Sequence, residues 1–269
     1  MPIRNDLWRK IDHSVSLIQS AERLSLALGS EYGLYVAFSG GKDSQVLLDL
    51  VELSLVRFKA FYNVTTNDPP KNVYFIRQYY PEVEFVHPEK NFFQLVSEKG
   101  MPLIQRRYCC EVLKESHSAG NVVLTGVRAD ESKKRSRYHE VEVRSRRKEN
   151  MINFKERTIA NIMEQEHRCI KGKDSVMVYP LLNWTERDIW DYIQHQQLPM
   201  NPCYEVSHRV GCMFCPFTKR AELEYYETQY PKFKERVIDA IRQYHQKRDV
   251  SGTYKYQSAE EYYERWKKK

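Results

Sequence analysis

The sequence lacks any apolar run approaching about 18 residues, the length that a membrane-spanning helix needs. Its opening residues, 1–15, mix charges among the apolar positions and contain no apolar segment typical of a signal peptide. The sequence also has no internal repeats and no low-complexity tracts. These absences argue against an integral membrane protein and a secreted one, so we expect a cytoplasmic protein with no membrane partner.

The composition is that of a folded protein, with 41% apolar residues, 29% charged residues, 19 Tyr and 11 Phe. A length of 269 residues is sufficient for one large domain or two small ones, which excludes a disulfide-stapled miniprotein. Lys and Arg (43) outnumber Asp and Glu (36), giving a net charge of +7. This excess attracts phosphate-bearing ligands, from nucleotides to nucleic acid, without specifying a fold.

Short apolar segments alternate with segments of helical periodicity along most of the chain. Strands are expected near 34–38, 58–64, 83–86, 122–126 and 176–179, and helices near 5–28, 45–55, 71–80, 92–99, 185–195 and from 221 onward. This alternation predicts an α/β fold with a Rossmann-like parallel sheet and additional N- and C-terminal helices. Trp184, Trp190 and Tyr192 are expected to pack their helix against the sheet.

Three parts of the chain are expected to have distinct roles. Residues 1–30 form an N-terminal helix, residues 31–200 the nucleotide-binding α/β domain, and residues 201–269 a cysteine-bearing loop with C-terminal helices packed on that domain. The stretch 130–150, rich in Arg and Lys, is predicted as an exposed loop or mobile segment. The basic run 128–148 fits either a solvated face or a nucleic-acid contact.

A glycine pair lies where the first predicted strand gives way to a helix, in Ser39-Gly40-Gly41-Lys42-Asp43-Ser44. Two glycines permit a tight turn, successive amide groups and the helix N-terminus attract a phosphate, and Lys42 adds a positive charge. The spacing is not that of a Walker A loop. The segment therefore predicts a nucleotide phosphate site, in which Asp43 either orients Mg²⁺ or caps the helix.

Four of the six cysteines form two sequence-distant pairs, Cys109-Cys110 and Cys212-x-x-Cys215. Disulfides are not expected in a reducing compartment, and four thiolates suit either tetrahedral zinc or a 4Fe-4S cluster. The tandem pair would strain a site for one zinc ion, which favours the cluster; zinc and plain buried thiols remain as alternatives. Cys169 and Cys203 stand apart.

Several motifs together resemble the phosphoadenosine phosphosulfate reductase family. The hexapeptide at 39–44 resembles the PP-loop of ATP pyrophosphatases, the adenine nucleotide alpha-hydrolase superfamily. The cysteine pattern resembles that of adenylylsulfate reductases and their cluster-bearing relatives. Segments 126–137, 179–190 and 201–211 are similar to further family segments, so the resemblance spans about residues 35–217.

The resemblance implies a set of functional residues. It implies that ATP or a sulfonucleotide is bound by Ser39, Gly40, Gly41, Lys42, Asp43, Ser44, Asn63, Thr65 and Gly126. It implies catalytic roles for Lys42, Asp43, Arg128, Arg135 and Arg137. It implies a 4Fe-4S cluster on Cys109, Cys110, Cys212 and Cys215.

Two departures from the family pattern bear on the expected activity. No cysteine follows Cys215, whereas the reductases use a C-terminal thiol as nucleophile, and residues 62–67 differ from the family's Asp-Thr-Gly-like turn. We therefore expect an ATP pyrophosphatase that adenylates a nucleic acid for sulfur incorporation, with a cysteine desulfurase or other sulfur donor as partner. The alternatives are a reductase of adenylyl sulfate or its 3′-phosphorylated form that uses Cys169 or Cys203, and a nucleotide-binding cluster protein acting as a sensor or subunit.

Overall fold

A computed structural model of the chain describes residues 4–115, 118, 120–144, 159, 175–249 and 256–268. The described residues form two compact units. The first draws on Met1–Tyr62, Phe75–Phe85 and His117–Asn201, and the second on Asn63–Tyr74, Val86–Ser116 and Pro202–Lys269. The three-part division expected from the sequence stays a prediction.

A six-stranded sheet of order β3-β2-β1-β4-β6-β5 organises the first unit within the described residues. Its strands are β1 (Leu34–Ala37), β2 (Phe58–Asn63), β3 (Glu84–Val86), β4 (Val122–Leu124), β5 (Val141–Arg144) and β6 (Ser175–Val178). β1 pairs in parallel with β2 and β4, and β4 pairs in parallel with β6. The expected α/β fold with a Rossmann-like sheet is confirmed.

Residues 141–144 correct the sequence-based expectation of an exposed loop over 130–150. They form the edge strand β5, antiparallel to β6, with Val141 opposite Val178 and Val143 opposite Val176. Alternate valines suit an edge strand that buries one face, and this short alternation is hidden in the sequence by the basic residues around it. Residues 145–150 lie outside the described part of the chain.

The central strands are apolar because helices cover both faces of a parallel sheet. Val36, Leu124 and Val178 each have no measurable exposure. Trp184 and Tyr192, expected in the core, are also buried, at 2% and 0% exposure. This packing presents the turns after β1 and β4 at the carboxyl edge of the sheet, where ligands of such sheets bind.

The helices agree closely with the helical periodicities. They are α1 (Asn5–Ala27), α2 (Lys42–Leu53), α3 (Pro70–Tyr79), α4 (Phe92–Lys99), α5 (Tyr108–Leu113), α6 (Glu186–Gln196), α7 (Arg220–Gln229), α8 (Pro231–Asp249) and α9 (Ala259–Lys267). Helix α2 begins at Lys42, earlier than the periodicity indicated, so the lysine of the glycine loop is its first residue. None of the helices in the described parts of the chain combines the length and apolar character that crossing a bilayer requires.

The second unit has its own apolar core, built by α4, α5 and the three C-terminal helices. Phe92, Met213, Phe214, Tyr263 and Trp266 are all at most 5% exposed in this core. Met213 and Phe214 are the two residues between the second pair of cysteines, so the apolar core anchors the loop that carries Cys212 and Cys215. The Cys109-Cys110 pair lies on α5, a short helix that the sequence analysis did not predict.

Candidate functional site

The turn between β1 and α2 has the backbone shape of an anion-binding loop. Gly40 has φ +74°, a left-handed conformation that side chains disfavour, and Gly41 is extended at the N-cap of α2. The N-cap residue Gly41 has no side chain with which to cap this helix, and Asp43 lies in its first turn, where a carboxylate interacts favourably with the helix dipole. The α2 N-terminus therefore offers its partial positive charge and amide groups to a ligand.

Two serines hold the shape of this loop, which we call the phosphate loop (residues 39–44). The hydroxyls of Ser39 and Ser44 lie 3.1 Å apart, and the Ser44 hydroxyl donates to the Gly41 carbonyl at 2.8 Å. From outside the loop, the buried Asn201 side chain donates to the Gly40 carbonyl at 2.8 Å. The sequence indicates Asn201 only as the first residue of the family segment 201–211, whereas the structure shows that it positions the loop.

Lys42 is almost buried, with 7% of its side chain exposed. Its Nζ lies 3.3 Å from Asp43 Oδ2 and 3.7 Å from Glu186 Oε1, and 5.9 Å from the centre of the Trp190 ring. Trp190, expected as a core residue, is instead half-buried with its ring beside this ammonium. Glu186 and Trp190 are four residues apart on α6 and so share a helix face, a spacing that could have linked them from the sequence.

Arg128 is buried at 3% exposure, and carboxylates surround its guanidinium. Its Nε donates to Asp43 Oδ1 at 2.5 Å, and its Nη1 lies 3.3 Å from Asp130 Oδ2. The same Asp130 oxygen accepts the Glu186 backbone N–H at 3.2 Å, which connects the first turn of α6 to this network. The bond from Arg128 fixes the position of the Asp43 carboxylate within the phosphate loop. Removing either partner of this ion pair would leave a buried charge uncompensated.

Gly126 allows the β4 turn to approach the first turn of α2. A Cβ at this position would lie 2.7 Å from the Asp43 carbonyl oxygen, closer than such atoms approach. The structure therefore brings together Gly126, Asp43, Lys42 and Arg128 from the set predicted by the sequence.

Arg135 and Arg137 lie further along the same segment, in a single 3₁₀ turn. Arg135 forms an ion pair with Glu131, whose Oε2 also accepts the Arg128 backbone N–H at 3.1 Å. Arg137 is exposed. The hydrogen bonds and ion pairs described for these two side chains do not reach the phosphate loop, so their predicted catalytic roles stay a prediction.

The four paired cysteines all belong to the second unit and influence one another's ionisation. A hydrogen bond from Cys109 lowers the pKa of Cys110, and the same bond raises the pKa of Cys109, which Cys212 and Cys215 raise further. The Cys212 thiol in turn raises the pKa of Lys114. The two pairs are thus close enough to interact electrostatically, and cations lie among them.

A buried asparagine holds the loop of residues 212–215, which we call the thiol loop. The Asn67 side chain donates to the Phe214 carbonyl at 3.1 Å and accepts the Phe214 N–H at 3.0 Å. Its backbone carbonyl accepts the Met213 N–H at 2.8 Å. Three hydrogen bonds from one residue fix the backbone between Cys212 and Cys215, and sequence reasoning gave Asn67 no such role.

Thr65 and Asn63, expected to contact the nucleotide, lie in the second unit with the thiols. The Thr65 hydroxyl donates to Asp68 Oδ1 at 2.7 Å and accepts from Asn67 N at 3.2 Å and from the Cys212 thiol at 3.4 Å. The Asn63 side chain donates to the Lys114 carbonyl at 3.2 Å. These contacts engage Thr65 in positioning the thiol loop, and nucleotide binding by either residue stays a prediction.

The four thiols have the chemistry of a cluster site. Thiolates are the ligands of iron–sulfur clusters, and the neighbouring Lys114 and Arg107 favour the thiolate form of Cys110. Within the described residues, no three His, Cys, Asp or Glu side chains are close enough together to hold one metal ion. The donors are thus of the type that iron–sulfur clusters use, while the arrangement of the described side chains forms no site for a metal ion.

Cys203 and Cys169 do not belong to either pair. Cys203 is 4% exposed, and burial raises the pKa of its thiol to about 11. A buried thiol with a raised pKa is a poor nucleophile at neutral pH. Cys169 lies outside the described residues.

Comparisons with known proteins identify the family of this sequence. The family model described as "Phosphoadenosine phosphosulfate reductase domain" matches residues 33–218. Sulfate adenylyltransferase subunit 2 of Alkalilimnicola ehrlichii is 31% identical over 195 residues, 64% of this chain and 60% of the relative. Adenosine 5′-phosphosulfate reductase of Bacillus cereus is 23% identical over 228 residues, 78% of this chain and 86% of the relative.

Other matches are longer proteins or more distant structures. The chain spans 42% and 54% of the lengths of two uncharacterized proteins of Methanocaldococcus jannaschii, at 26% and 22% identity. A crystal structure of phosphoadenylyl-sulfate reductase from Candida auris, a phosphate complex, matches with a TM-score of 0.47 and 16% identity, over 79% of this chain and 97% of that one.

Proposed function

The chain belongs to the phosphoadenosine phosphosulfate reductase domain family, and from that premise we propose that it is an ATP pyrophosphatase that adenylates a nucleic acid for sulfur incorporation. The observation that carries the proposal is the phosphate loop: a left-handed Gly40 and a glycine at the N-cap of α2, followed at once by the nearly buried Lys42. This combination concentrates positive potential on a polyphosphate chain.

The proposed first step is nucleophilic displacement at the α-phosphorus of ATP. An oxygen of the acceptor forms a bond to this phosphorus while the bond to the bridging oxygen breaks, and pyrophosphate leaves with the bonding electrons. The loop amides and Lys42 hold the pyrophosphate and stabilise its growing negative charge. Arg128 acts through Asp43, which it holds at 2.5 Å beside the loop, and Asp43 orients Mg²⁺ in this proposal.

In the second proposed step a sulfide-level sulfur attacks the carbon that bears the adenylated oxygen; the carbon–sulfur bond forms, the carbon–oxygen bond breaks, and AMP leaves with the bonding electrons. The exposed Arg137 and its neighbour Arg135 bind phosphates of the nucleic acid, consistent with the net charge of +7. A cysteine desulfurase or other donor supplies the sulfur, and for a persulfide donor a thiol reductant supplies the two electrons that bring it to the sulfide level. A 4Fe-4S cluster, when bound by Cys109, Cys110, Cys212 and Cys215, supplies a place to hold or deliver that sulfur.

A second candidate function is the reduction of adenylyl sulfate or its 3′-phosphorylated form, favoured by the likeness to the Bacillus cereus reductase. Such a reductase needs a thiolate that attacks the sulfur atom, and the burial and raised pKa of Cys203 oppose that role. Sulfite release from adenylyl sulfate, assayed with a thiol reductant, distinguishes this function. Sulfite without pyrophosphate release from ATP would favour the reductase.

The test measures pyrophosphate release by anaerobically purified protein given ATP, Mg²⁺, unmodified RNA and a sulfur donor. Lys42→Ala is expected to reduce release by about 100-fold, in line with the loss of one group that stabilises transition-state charge. The matched control Lys59→Ala removes a surface lysine paired with Glu84 and should leave release unchanged. Equal activity in the two variants would contradict the proposal, and ATP binding without release would favour a nucleotide-binding subunit.

A further inference from the structure

An exposed aromatic ring in the second unit has two arginines close to it. Phe217 is 43% exposed, and the guanidinium carbons of Arg107 and Arg209 lie 5.2 Å and 5.7 Å from its ring centre. We call these three residues the Phe217 patch. Arginine over an aromatic face is a favourable cation–π arrangement, and it presents both a flat apolar surface and positive charge to solvent.

The Phe217 patch adjoins both pairs of cysteines. Arg107 is the N-cap residue of α5, which carries Cys109 and Cys110. Phe217 follows Cys215 by two residues. The Arg209 guanidinium lies over Gly211, where a Cβ would be 3.8 Å from its Nε. A molecule bound at this patch would therefore lie beside the thiols.

The arginines of the patch differ from other surface arginines of the second unit in their ion pairing. Within the described residues neither Arg107 nor Arg209 forms an ion pair, whereas Arg220 pairs with Glu224 at 2.8 Å and Arg242 with Asp239 and Glu260 at 2.5 Å. All these arginines are surface residues of the same unit. An exposed guanidinium with no acidic partner keeps its donors available for phosphate oxygens.

We propose that the Phe217 patch binds a single-stranded nucleic acid, with an unpaired base stacked on Phe217 and flanking phosphates on Arg107 and Arg209. The inference rests on the proposed function, since it names where the acceptor docks. Base stacking on an aromatic ring combined with backbone phosphates on arginines is how proteins bind single strands. A duplex hides its base faces and would lose the stacking contribution.

Binding is measured by fluorescence anisotropy on the full, iron-loaded chain. The probes are a labelled oligouridylate and an oligothymidylate of about 12 nucleotides, a length within the range such sites cover, and a blunt duplex. Phe217→Ala is expected to weaken single-strand binding about tenfold, and Phe217→Trp to retain it. Arg107→Ala and Arg209→Ala should each reduce the slope of log affinity against log salt by about 0.7.

The matched control is Arg236→Ala. Its guanidinium lies 4.1 Å from the ring centre of Phe93 in the same unit, so the variant removes an arginine–aromatic pair elsewhere on the surface. It should bind the probes as the unaltered protein does. Iron content and circular dichroism, measured on every variant, establish that the chain is folded and loaded.

Three results would overturn the proposal. One is unchanged single-strand affinity and salt slope in folded Phe217→Ala and Arg107→Ala. Another is equal affinity of the unaltered protein for the duplex and for the two single-stranded probes, which would exclude base stacking. The third is loss of iron from the arginine variants with nucleic-acid binding intact, which would assign the guanidiniums to the thiols.

The failure of this proposal differs measurably from failure of the proposed function. If pyrophosphate release depends on Lys42 but the patch does not contribute to nucleic-acid binding, only the docking proposal is contradicted. If single strands bind through the patch but no pyrophosphate is released from ATP, the docking proposal is supported and the proposed adenylation is contradicted.

Discussion

The phosphate loop and the thiol loop are both short turns that carry candidate functional groups, but different parts of the sequence hold them in shape. The phosphate loop is closed by bonds between Ser39 and Ser44, five residues apart, with Asn201 adding one bond. The thiol loop is held by Asn67, almost 150 residues away along the chain, through three bonds to Met213 and Phe214. A loop that bonds to itself can be recognised from local sequence, whereas a loop held from a distance cannot.

The two units also differ in the burial and the acidic partners of the arginines near their loops. In the first unit, Arg128 is buried and its guanidinium contacts Asp43 and Asp130, so it acts as a positioning residue. In the second unit, Arg107 and Arg209 are exposed beside Phe217. An arginine that is buried and paired with carboxylates has a structural role. An exposed arginine without a carboxylate partner has donors available to a ligand.

The largest effect is expected from Asn67→Ala. The change leaves the buried N–H and carbonyl of Phe214 without side-chain partners, which costs about 4 kcal/mol of unfolding free energy for two such bonds. The thiol loop should loosen, with faster alkylation of Cys212 and Cys215 and lower iron content, while ATP affinity stays the same. Mass spectrometry of alkylated protein and calorimetry with ATP give the two measurements.

Asn201→Ala is the corresponding variant in the first unit. Together with Asn67→Ala, it tests whether each asparagine anchors only its own loop. It removes the bond to the Gly40 carbonyl, so ATP affinity should fall while iron content and alkylation rates stay the same. If both asparagine variants impaired both properties equally, the separate anchoring of the two loops would be refuted.

A somewhat smaller effect is expected from Gly126→Ala. The added Cβ would lie 2.7 Å from the Asp43 carbonyl oxygen, so the turn or the start of α2 must shift, at about 2–3 kcal/mol. ATP binding should weaken at least about tenfold for a shift of this size. Gly211→Ala is the control in the second unit, because its Cβ would meet nothing nearer than 3.8 Å. Equal losses in both variants would argue against the close approach as the cause.

Acid should weaken the first unit through Asp188, which is 1% exposed and binds Arg4 and Lys10 of the N-terminal segment. Burial alone would raise its pKa, but hydrogen bonds from Lys10 and Thr185 outweigh burial and lower the pKa to about 2. Because the folded pKa lies below the unfolded value of about 3.9, the ionised group stabilises the fold above about pH 4. That contribution, about 2 kcal/mol, is lost as the pH falls from about 4 to about 2.

Asp188→Asn should therefore reduce stability at neutral pH and flatten the acid dependence between about pH 4 and about pH 2, as followed by denaturant unfolding at each pH. The control Asp191→Asn changes a more exposed carboxylate that also pairs with Arg4 and should have a small effect. An unchanged acid profile in Asp188→Asn would show that other groups cause the acid dependence.

The smallest effect is expected at the start of α4 in the second unit. Asn91 and Gln94 form a capping box, in which each side chain accepts a backbone N–H of the other residue. Asn91→Ala should cost about 1 kcal/mol of unfolding free energy, with ATP affinity unaffected. Thermal unfolding compared with Asn91→Ser, which retains a capping oxygen, provides the measurement; equal losses in the two variants would exclude the cap as the cause.

Sequence reasoning predicted most of the fold because its elements have local signals. The period of 3.6 residues gave the helices, and short apolar runs gave the buried strands. It missed β5, where only four residues alternate among charged neighbours, and α5, which is too short to show a period. It also placed Trp190 in the core, because an apolar ring on a helix face does not reveal that a lysine lies beside it.

The sequence by itself determined the glycine turn, the charge of Lys42 and the two pairs of thiols, since each depends on residue types at short spacing. Only the tertiary structure decided that Asn67 and Asn201 hold these loops, that carboxylates surround Arg128, and that two arginines lie close to Phe217. The physical reason is that hydrogen bonds, ion pairs and stacked rings require atoms to meet in space. Asn67 and Phe214 are far apart in the chain, and nothing in the sequence around either residue indicates that the two are in contact.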